Sequence, residues 1–270
     1  MRAGPTDKRG VVDAPAGEAA RSHRRRITAR RIVVGLALTI VSLTFLVAAL
    51  ALGLVDKAPG WWRTIDGSDP QVVSLGADLE NTIAGEMSRV RAGEASAPGQ
   101  PPRPWRSDEW TVVIRDDEAT AWLSTRFGKW LANRHAALPE QVRQIEVAFG
   151  EGQLRIGVGL AVGDEVRVLS AVSRAYLSDD GALWVGPSRL YAGRLPLPTS
   201  WIARGKGPDW LPRELREDPG FASTLRVLAG NTPASKVPVF TLGDGRQVRI
   251  VQLAVHEGRV EITCRTEAKP

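Results

Sequence analysis

The sequence predicts an α+β protein with one N-terminal transmembrane helix, followed by a domain in which a curved antiparallel β-meander packs on two or three amphipathic helices. Three observations predict this class. Residues 32–55 form an uncharged, predominantly apolar run of 24 residues. Two later segments repeat apolar residues every three or four positions, as amphipathic helices do. Beyond residue 140, apolar and polar residues alternate between Gly- and Asp-rich turns, which is typical of strands.

The apolar run contains no charged residue and no Asn, Gln or Pro. At ~1.5 Å per residue a helix of this length spans about 36 Å, more than the bilayer core of about 30 Å. The alternative is a cleavable signal peptide, but its apolar region usually has only about 7–15 residues. The length therefore favours a retained signal-anchor that crosses the membrane once, over 32–55.

Charge on the two sides of this run predicts its orientation. Residues 1–31 hold nine basic and three acidic side chains, so they carry the whole net charge of +6 and the rest of the chain is neutral. Because basic residues stay on the cytoplasmic side, we expect 1–31 to be a disordered cytoplasmic tail and the C-terminal part to be exported. The topology signal consists of Arg21, Arg24, Arg25, Arg26, Arg30 and Arg31.

The excess of Arg over Lys is typical of a GC-rich bacterial genome. We therefore expect a single-pass protein of the bacterial inner membrane with a periplasmic or otherwise extracytoplasmic domain. Residues 56–69 are interpreted as a juxtamembrane linker, with Trp61 and Trp62 at the membrane interface. Residues 70–270 are interpreted as one exported α+β domain, interrupted by a Pro-rich loop at 94–108.

Two helices are predicted in this domain. Asp69 and Pro70 match an N-cap followed by proline at the first helical position. A second helix should begin at the acidic run 116–118, since acidic side chains favour a helix N-terminus. It carries Trp122, Phe127 and Trp130 on one side, and we expect these three side chains to be buried against the meander.

The meander is predicted from the alternating segments 145–149, 154–162, 166–172 and 183–185. A last hairpin is predicted around the turn 256–258. In the segment 154–162 the apolar residues should face the second helix, while Gly157 and Gly159 lie on the opposite face and allow the strand to bend. A bent sheet would leave room for an acyl chain between the sheet and the helix.

The sequence offers little catalytic chemistry. It has three His and one Cys, and it lacks an HExxH motif, a P-loop and a GxSxG elbow, so no metal, cofactor or enzymatic activity is expected. The acids at 116–118 could form a catalytic pair but are better interpreted as a helix cap. Similarly, Cys264 is interpreted as a small buried residue, and His256 beside Glu257 as solvated rather than a dyad. A neutral domain is a poor binder of nucleic acid.

The order of elements resembles a known family. The segment DDEATAWL, the stretch GRLPLP at 193–198 and the late segment GDGRQVRI resemble YpmS-like envelope proteins, and more remotely LmeA-like phospholipid-binding proteins. The resemblance covers about residues 108–266. It implies a curved sheet wrapped on a helix, with an apolar groove that could hold lipid, and it implies no catalytic residue.

These observations predict a membrane-anchored, non-enzymatic domain that binds lipid or another apolar ligand in the bacterial envelope. Its expected partners are the bilayer and a lipid ligand or an envelope protein. The alternative is a structural or docking module of an envelope assembly, using exposed sheet edges and the Pro-rich loop. The candidates for lining the ligand groove are Trp122, Phe127, Trp130, Leu154, Ile156, Val158, Leu160 and Val162.

Overall fold

The structure is a computed structural model that describes residues 42–44, 53–93, 105–198, 213, 217 and 219–268. The chain divides into two compact units, 1–52 and 53–270. In the first unit only residues 42–44 are described, and they are helical. All elements discussed below belong to the second unit.

The second unit contains four described helices of at least six residues, which we number in chain order. They are α1 (Pro70–Ser88), α2 (Asp116–Thr125), α3 (Phe127–Ala132) and α4 (Pro219–Leu228). The strands are β1 (Trp110–Arg115), β2 (Val142–Gly150), β3 (Gln153–Val162), β4 (Glu165–Ser173), β5 (Ala175–Leu177), β6 (Leu183–Val185), β7 (Arg189–Ala192), β8 (Leu195–Pro196), β9 (Val239–Thr241), β10 (Gln247–His256) and β11 (Arg259–Glu267).

The strands form three antiparallel sheets. A five-stranded sheet has the order β2-β3-β4-β7-β8, a four-stranded sheet has the order β1-β11-β10-β9, and β5 and β6 form a separate ribbon. Val147 and Phe149 of the first sheet and Val260 of the second belong to one buried cluster, onto which Leu123 of α2 also packs. The two larger sheets therefore share a core, with α2 against it.

The predicted fold class is wrong. The described residues form a mostly-β domain with sheets of four, five and two strands, in place of one meander behind a membrane helix. Within the described part of the chain, no helix combines the length and apolarity needed to cross a membrane. The location and orientation inferred from residues 32–55 remain predictions from the sequence.

The single meander is a wrong prediction because several strands pair with partners that are distant in the sequence. Residues 110–115 pair with 259–264 at the other end of the chain, with Trp110 opposite Cys264. The segment 183–185 does not extend the meander, because it pairs with β5 in the separate ribbon. The place beside β4 is taken by β7. Local alternation identifies a strand but carries no information about its partner.

Several predicted ends of elements can be compared with the structure. The start of α1 is confirmed, since the Asp69 carboxylate accepts the Gln71 backbone N–H at 2.8 Å and Pro70 is the first helical residue. The helix α1 ends at Ser88, and the Arg89 backbone N–H after it donates to the Gly85 carbonyl. The second predicted helix is divided at Arg126 into α2 and α3.

Other predictions concern residues that the structure does not describe. The tail 1–31 with its six arginines lies outside the described residues, as do all of 32–55 except 42–44 and 53–55, and most of the Pro-rich loop. The described end of the apolar run belongs to the folded domain. Val55 is buried in one cluster with Leu190 and Ala192, and the Arg194 backbone N–H donates to the Leu54 carbonyl at 2.8 Å.

Candidate functional site

An apolar cavity of about 540 Å³ lies between the five-stranded sheet and the helices α2, α3 and α4. Of the described residues that line it, only Ser170 and Thr224 have polar side chains. A volume of ~300–1,000 Å³ is usual for small-molecule sites. We call this cavity the groove.

One face of the five-stranded sheet forms the floor of the groove. Strand register places Val147, Ile156, Ala171 and Leu190 side by side in one row across four strands. A second row contains Ile145, Val158 and Leu169. All seven residues line the groove. Because side chains alternate along a strand, the residues between them point to the opposite face.

Helices and a loop form the walls. Leu123 of α2 and Phe127 of α3 line one side, Leu138 and Pro139 follow from the loop before β2, and Leu228 of α4 closes the other side. These residues are all apolar, so the walls continue the character of the floor. The site can therefore bind a ligand by excluding water from apolar surface.

A buried threonine fixes α2 to the sheet. The Thr120 hydroxyl donates to the Val147 carbonyl at 3.0 Å and accepts the Val147 backbone N–H at 3.1 Å. Both backbone groups are available because β2 is the edge strand of its sheet. Thr120 is wholly buried, so it satisfies two polar groups that have no access to water. The contact holds the Leu123 wall over the floor.

Four of the eight candidate groove residues line the groove, namely Phe127, Ile156, Val158 and Leu160, and the other four are absent from its lining. Leu154 packs with Phe149 and Val260 where the two sheets meet. Val162 packs against Leu160. Trp122 and Trp130 contact the Phe127 ring and each other.

The expectation that the three aromatic side chains are buried against the strands is wrong. Trp130 is 39% exposed, and Trp122 and Phe127 are only half-buried. Instead the rings cluster with centroids 5.7–6.3 Å apart, and the Arg134 guanidinium lies 3.7 Å from the Trp130 ring centroid. Of the three aromatic residues, only Phe127 lines the groove.

The two strand glycines face away from the groove and lie beneath Trp61 and Trp62. A Cβ atom on Gly157 would lie 2.7 Å from Cζ3 of Trp62 and 2.9 Å from Cη2 of Trp61. A Cβ atom on Gly159 would lie 3.3 Å from Trp62. The prediction that the glycines lie on the face opposite the groove is confirmed. The absence of side chains there leaves room for the two indole rings. Both tryptophans, predicted at a membrane interface, are half-buried against the sheet.

Residues 58–63, which include both tryptophans, form a segment that we call the strap. Its last residue, Arg63, is held by Glu146 of β2. Glu146 lies beside Gly157 in the register and is 0% exposed. Its carboxylate accepts the Arg63 backbone N–H at 2.7 Å and the Arg63 Nε–H at 3.0 Å. Burial raises the pKa of Glu146, and the hydrogen bonds from Arg63 oppose that rise. The Gln144 amide also donates to the Arg63 carbonyl at 2.7 Å.

The remaining titratable candidates lie outside the groove. Burial raises the pKa of the Cys264 thiol to about 11, so it stays protonated at neutral pH. His256 lies 3.7 Å from Glu261 rather than pairing with Glu257. Glu118 caps α2 by accepting the Arg115 backbone N–H at 2.9 Å. Among the described residues, no group of three or more His, Cys, Asp or Glu side chains could hold a metal ion.

Sequence reasoning missed part of the groove. Leu190 of β7 and Leu228 of α4 line it but lie far from β3 in the sequence. Leu228 carried a usable signal, as the end of an apolar helical stripe before a Gly-Asn stop. No sequence pattern indicates that Leu138 and Pro139 line the groove, because the position of a loop residue beside a cavity depends on the tertiary structure.

Comparison with protein-family models, with curated proteins and with solved structures finds no significant match to this chain. The resemblance to YpmS-like and LmeA-like proteins therefore stays a prediction. The functional argument below depends on the geometry of this domain.

Proposed function

We propose that this domain binds an apolar ligand, the acyl chain of a lipid, in the groove, and that it acts without catalysis. The observation that carries the proposal is the cavity of about 540 Å³ with an almost wholly apolar lining. A close-packed protein interior has few voids larger than a water molecule. A void of this size between a sheet and three helices is therefore better explained as a binding site.

The lining also suggests how a ligand would be recognised. Burying one methylene contributes about 0.8 kcal/mol, so several methylenes along the Val158 and Ile156 rows supply useful affinity without a polar contact. Ser170 lies between Leu169 and Ala171 in β4, so its side chain points to the opposite face of the sheet. Thr224 is then the only polar side chain of the described lining that faces the groove, so the groove would select for chain length and shape. A polar headgroup would remain outside it.

The absence of a reaction is part of the proposal. The described lining residues contain no ionisable side chain, and general acid–base or nucleophilic catalysis needs one placed against the ligand. The bilayer as a partner and the extracytoplasmic location are also proposals, which rest on the apolar run 32–55 and on the basic residues 21–31.

A titration with the neutral apolar fluorophore N-phenyl-1-naphthylamine tests the proposal. The full-length chain should enhance its fluorescence with saturable binding, and Val158→Trp should abolish this by filling the groove. Val166→Trp is the matched control, because Val166 is 57% exposed and does not line the groove. Equal binding by the two variants, or no saturable binding by the wild-type chain, would count against the groove.

One observation favours the second candidate, a docking module. Phe240 on the edge strand β9 is 50% exposed, and nearby Val237 is also exposed. An edge strand with apolar side chains can pair with another chain. If the fluorophore does not bind, docking becomes the better account, and Phe240→Asp should then abolish chemical cross-linking of the chain to an envelope protein while leaving the melting temperature unchanged.

A further inference from the structure

A second cavity, of about 360 Å³, lies on the face of the five-stranded sheet opposite the groove floor. The strap forms one wall through Pro59, Gly60 and Trp61. Strands β3, β4 and β7 and the turn after β7 form the rest. Three of the lining residues are arginines, Arg155, Arg189 and Arg194.

Strand register brings two of these arginines together. Arg155 lies opposite Val172, and Val172 lies opposite Arg189. The two arginines therefore share a face with one strand between them, so their Cα atoms are about 10 Å apart. Arg194 follows in the turn after β7, where its Nε–H donates to the Ala58 carbonyl of the strap at 2.9 Å.

Within the described residues, these cations have no carboxylate in ion-pair contact. No carboxylate is found among the described residues that line the cavity. Within the described chain, neither Arg155 nor Arg189 has an ion pair or a side-chain hydrogen bond. The Arg155 guanidinium lies over Gly150, and the Glu257 carboxylate lies near the same glycine without coming within 4.0 Å of an Arg155 nitrogen. By contrast, Arg265 pairs with Glu109 at 2.6 Å.

Arg155 and Arg189 carry like charges in one cavity, and an anion bound between them would remove their mutual repulsion. The planar guanidinium group matches a phosphate group with two parallel N–H···O bonds. Tyr191 and Gln153 also line the cavity and can donate further hydrogen bonds. The ring of Trp61 provides an apolar side wall for the part of a ligand next to its phosphate.

We propose that this cavity is a binding site for a phosphate group, with Arg155 and Arg189 as its direct ligands and Arg194 at its edge. The phosphate can belong to a phospholipid headgroup at a membrane surface or to a soluble phosphorylated molecule. The sheet separates this cavity from the groove. A lipid whose acyl chain lies in the groove therefore cannot place its own headgroup in this cavity. The phosphate-site proposal does not depend on the proposed function of the groove.

The first test is calorimetric titration of the full-length chain with inorganic phosphate and with glycerol 3-phosphate. Arg155→Gln and Arg189→Gln should each raise Kd by about tenfold or more, the factor that corresponds to 1.4 kcal/mol. Arg143→Gln is the control, since Arg143 is exposed on the same sheet and outside the cavity. It should bind like the wild-type chain, and melting temperatures check that all variants are folded.

The second test distinguishes the two sources of phosphate. Vesicles of phosphatidylglycerol and of phosphatidylcholine are sedimented with the same proteins. The basic tail 1–31 contributes equally to vesicle binding by all of these proteins. The difference in binding between Arg143→Gln and the two cavity variants therefore measures the contribution of the cavity. A difference for phosphatidylglycerol alone assigns a lipid headgroup, and a difference for the soluble phosphates alone assigns a soluble ligand. If neither ligand distinguishes the cavity variants from the control, the proposal is overturned.

Discussion

Arg63 binds the buried carboxylate of Glu146 twice, through its backbone N–H at 2.7 Å and its side-chain Nε–H at 3.0 Å. Glu146 is 0% exposed, whereas the Arg63 side chain is 48% exposed. A carboxylate buried at this depth needs a paired cation to remain ionised. The strap is therefore a structural part of the domain, and the ion pair fixes its last residue to the sheet.

Arg63→Met should destabilise the domain by roughly 3 kcal/mol at pH 7, the low end for breaking a buried ion pair, because Arg63 is itself partly solvated. The sign of the pH dependence follows from Glu146. Its folded pKa is raised, so its contribution to stability is fully present below the unfolded pKa and is lost as the pH rises through the folded pKa.

The variant raises that folded pKa further, so its defect should grow with pH above 4.5, the ordinary value of the carboxyl. Urea unfolding of the wild-type chain and of Arg63→Met at pH 4.5 and at pH 7 measures the loss of stability at each pH. Arg259→Met is the control, since Arg259 pairs with the partly exposed Glu261 at 3.0 Å, and surface pairs contribute at most about 1 kcal/mol. A defect in Arg63→Met that is the same at both pH values contradicts this account of Glu146.

Gly157→Ala should destabilise the domain by about 1–3 kcal/mol, the usual cost of adding a methyl group to a packed interior. The new Cβ atom meets both Trp61 and Trp62, and the indole rings must move. In a Trp62→Ala background the same substitution should cost less, which a double-mutant cycle measures.

Gly85→Ala is the matched control for that cycle. A Cβ atom there meets nothing within 4 Å, and Gly85 lies inside α1, so alanine should stabilise the helix by up to about 1 kcal/mol. A neutral Gly157→Ala would mean that the tryptophans do not pack on the sheet in solution.

Thr120→Val should cost about 1–3 kcal/mol, because it leaves the N–H and C=O of Val147 buried without partners. The change keeps the shape of the side chain, so the cost reports the lost hydrogen bonds. Thr111→Val is the control, since Thr111 is exposed and contacts Thr263 at 3.2 Å. Thermal unfolding measures both variants, and equal melting temperatures would contradict the role of Thr120.

Trp130→Ala should cost only about 1 kcal/mol, the range for an aromatic pair contact, rather than the 3–5 kcal/mol typical of a buried tryptophan. The ring is partly exposed and lies outside the groove. The variant should therefore still bind N-phenyl-1-naphthylamine with the wild-type Kd. A large loss of affinity would show that the aromatic cluster belongs to the site.

Local chemistry was enough to predict many elements. The Asp69–Pro70 cap, the Gly-containing turns at 151–152 and 163–164, and the hairpin turn at 257–258 depend on residues next to one another, and each was read correctly from the sequence. Alternation in β3 also predicts which of its side chains share a face, and Ile156, Val158 and Leu160 do line the groove together.

Features that join distant segments could not be predicted in this way. The pairing of Trp110 with Cys264 closes a loop of most of the domain, and nothing in either segment specifies the other. The burial of Glu146 under Arg63 is similar, since a lone Glu in an alternating strand predicts exposure. The apolar run ending at Val55 was interpreted from hydropathy alone, which does not reveal that Val55 packs with Leu190.

Native mass spectrometry of the full-length chain, purified from bacteria without denaturation, tests the central claim most directly. We expect the wild-type chain and Val166→Trp to carry adducts with the mass of a lipid, and Val158→Trp to carry none. Thr224→Trp, which also fills the groove but from an exposed position on α4, covers the case in which Val158→Trp does not fold. A wild-type chain that carries no lipid and takes up none from added micelles, or adducts that persist in both groove variants, would contradict the account.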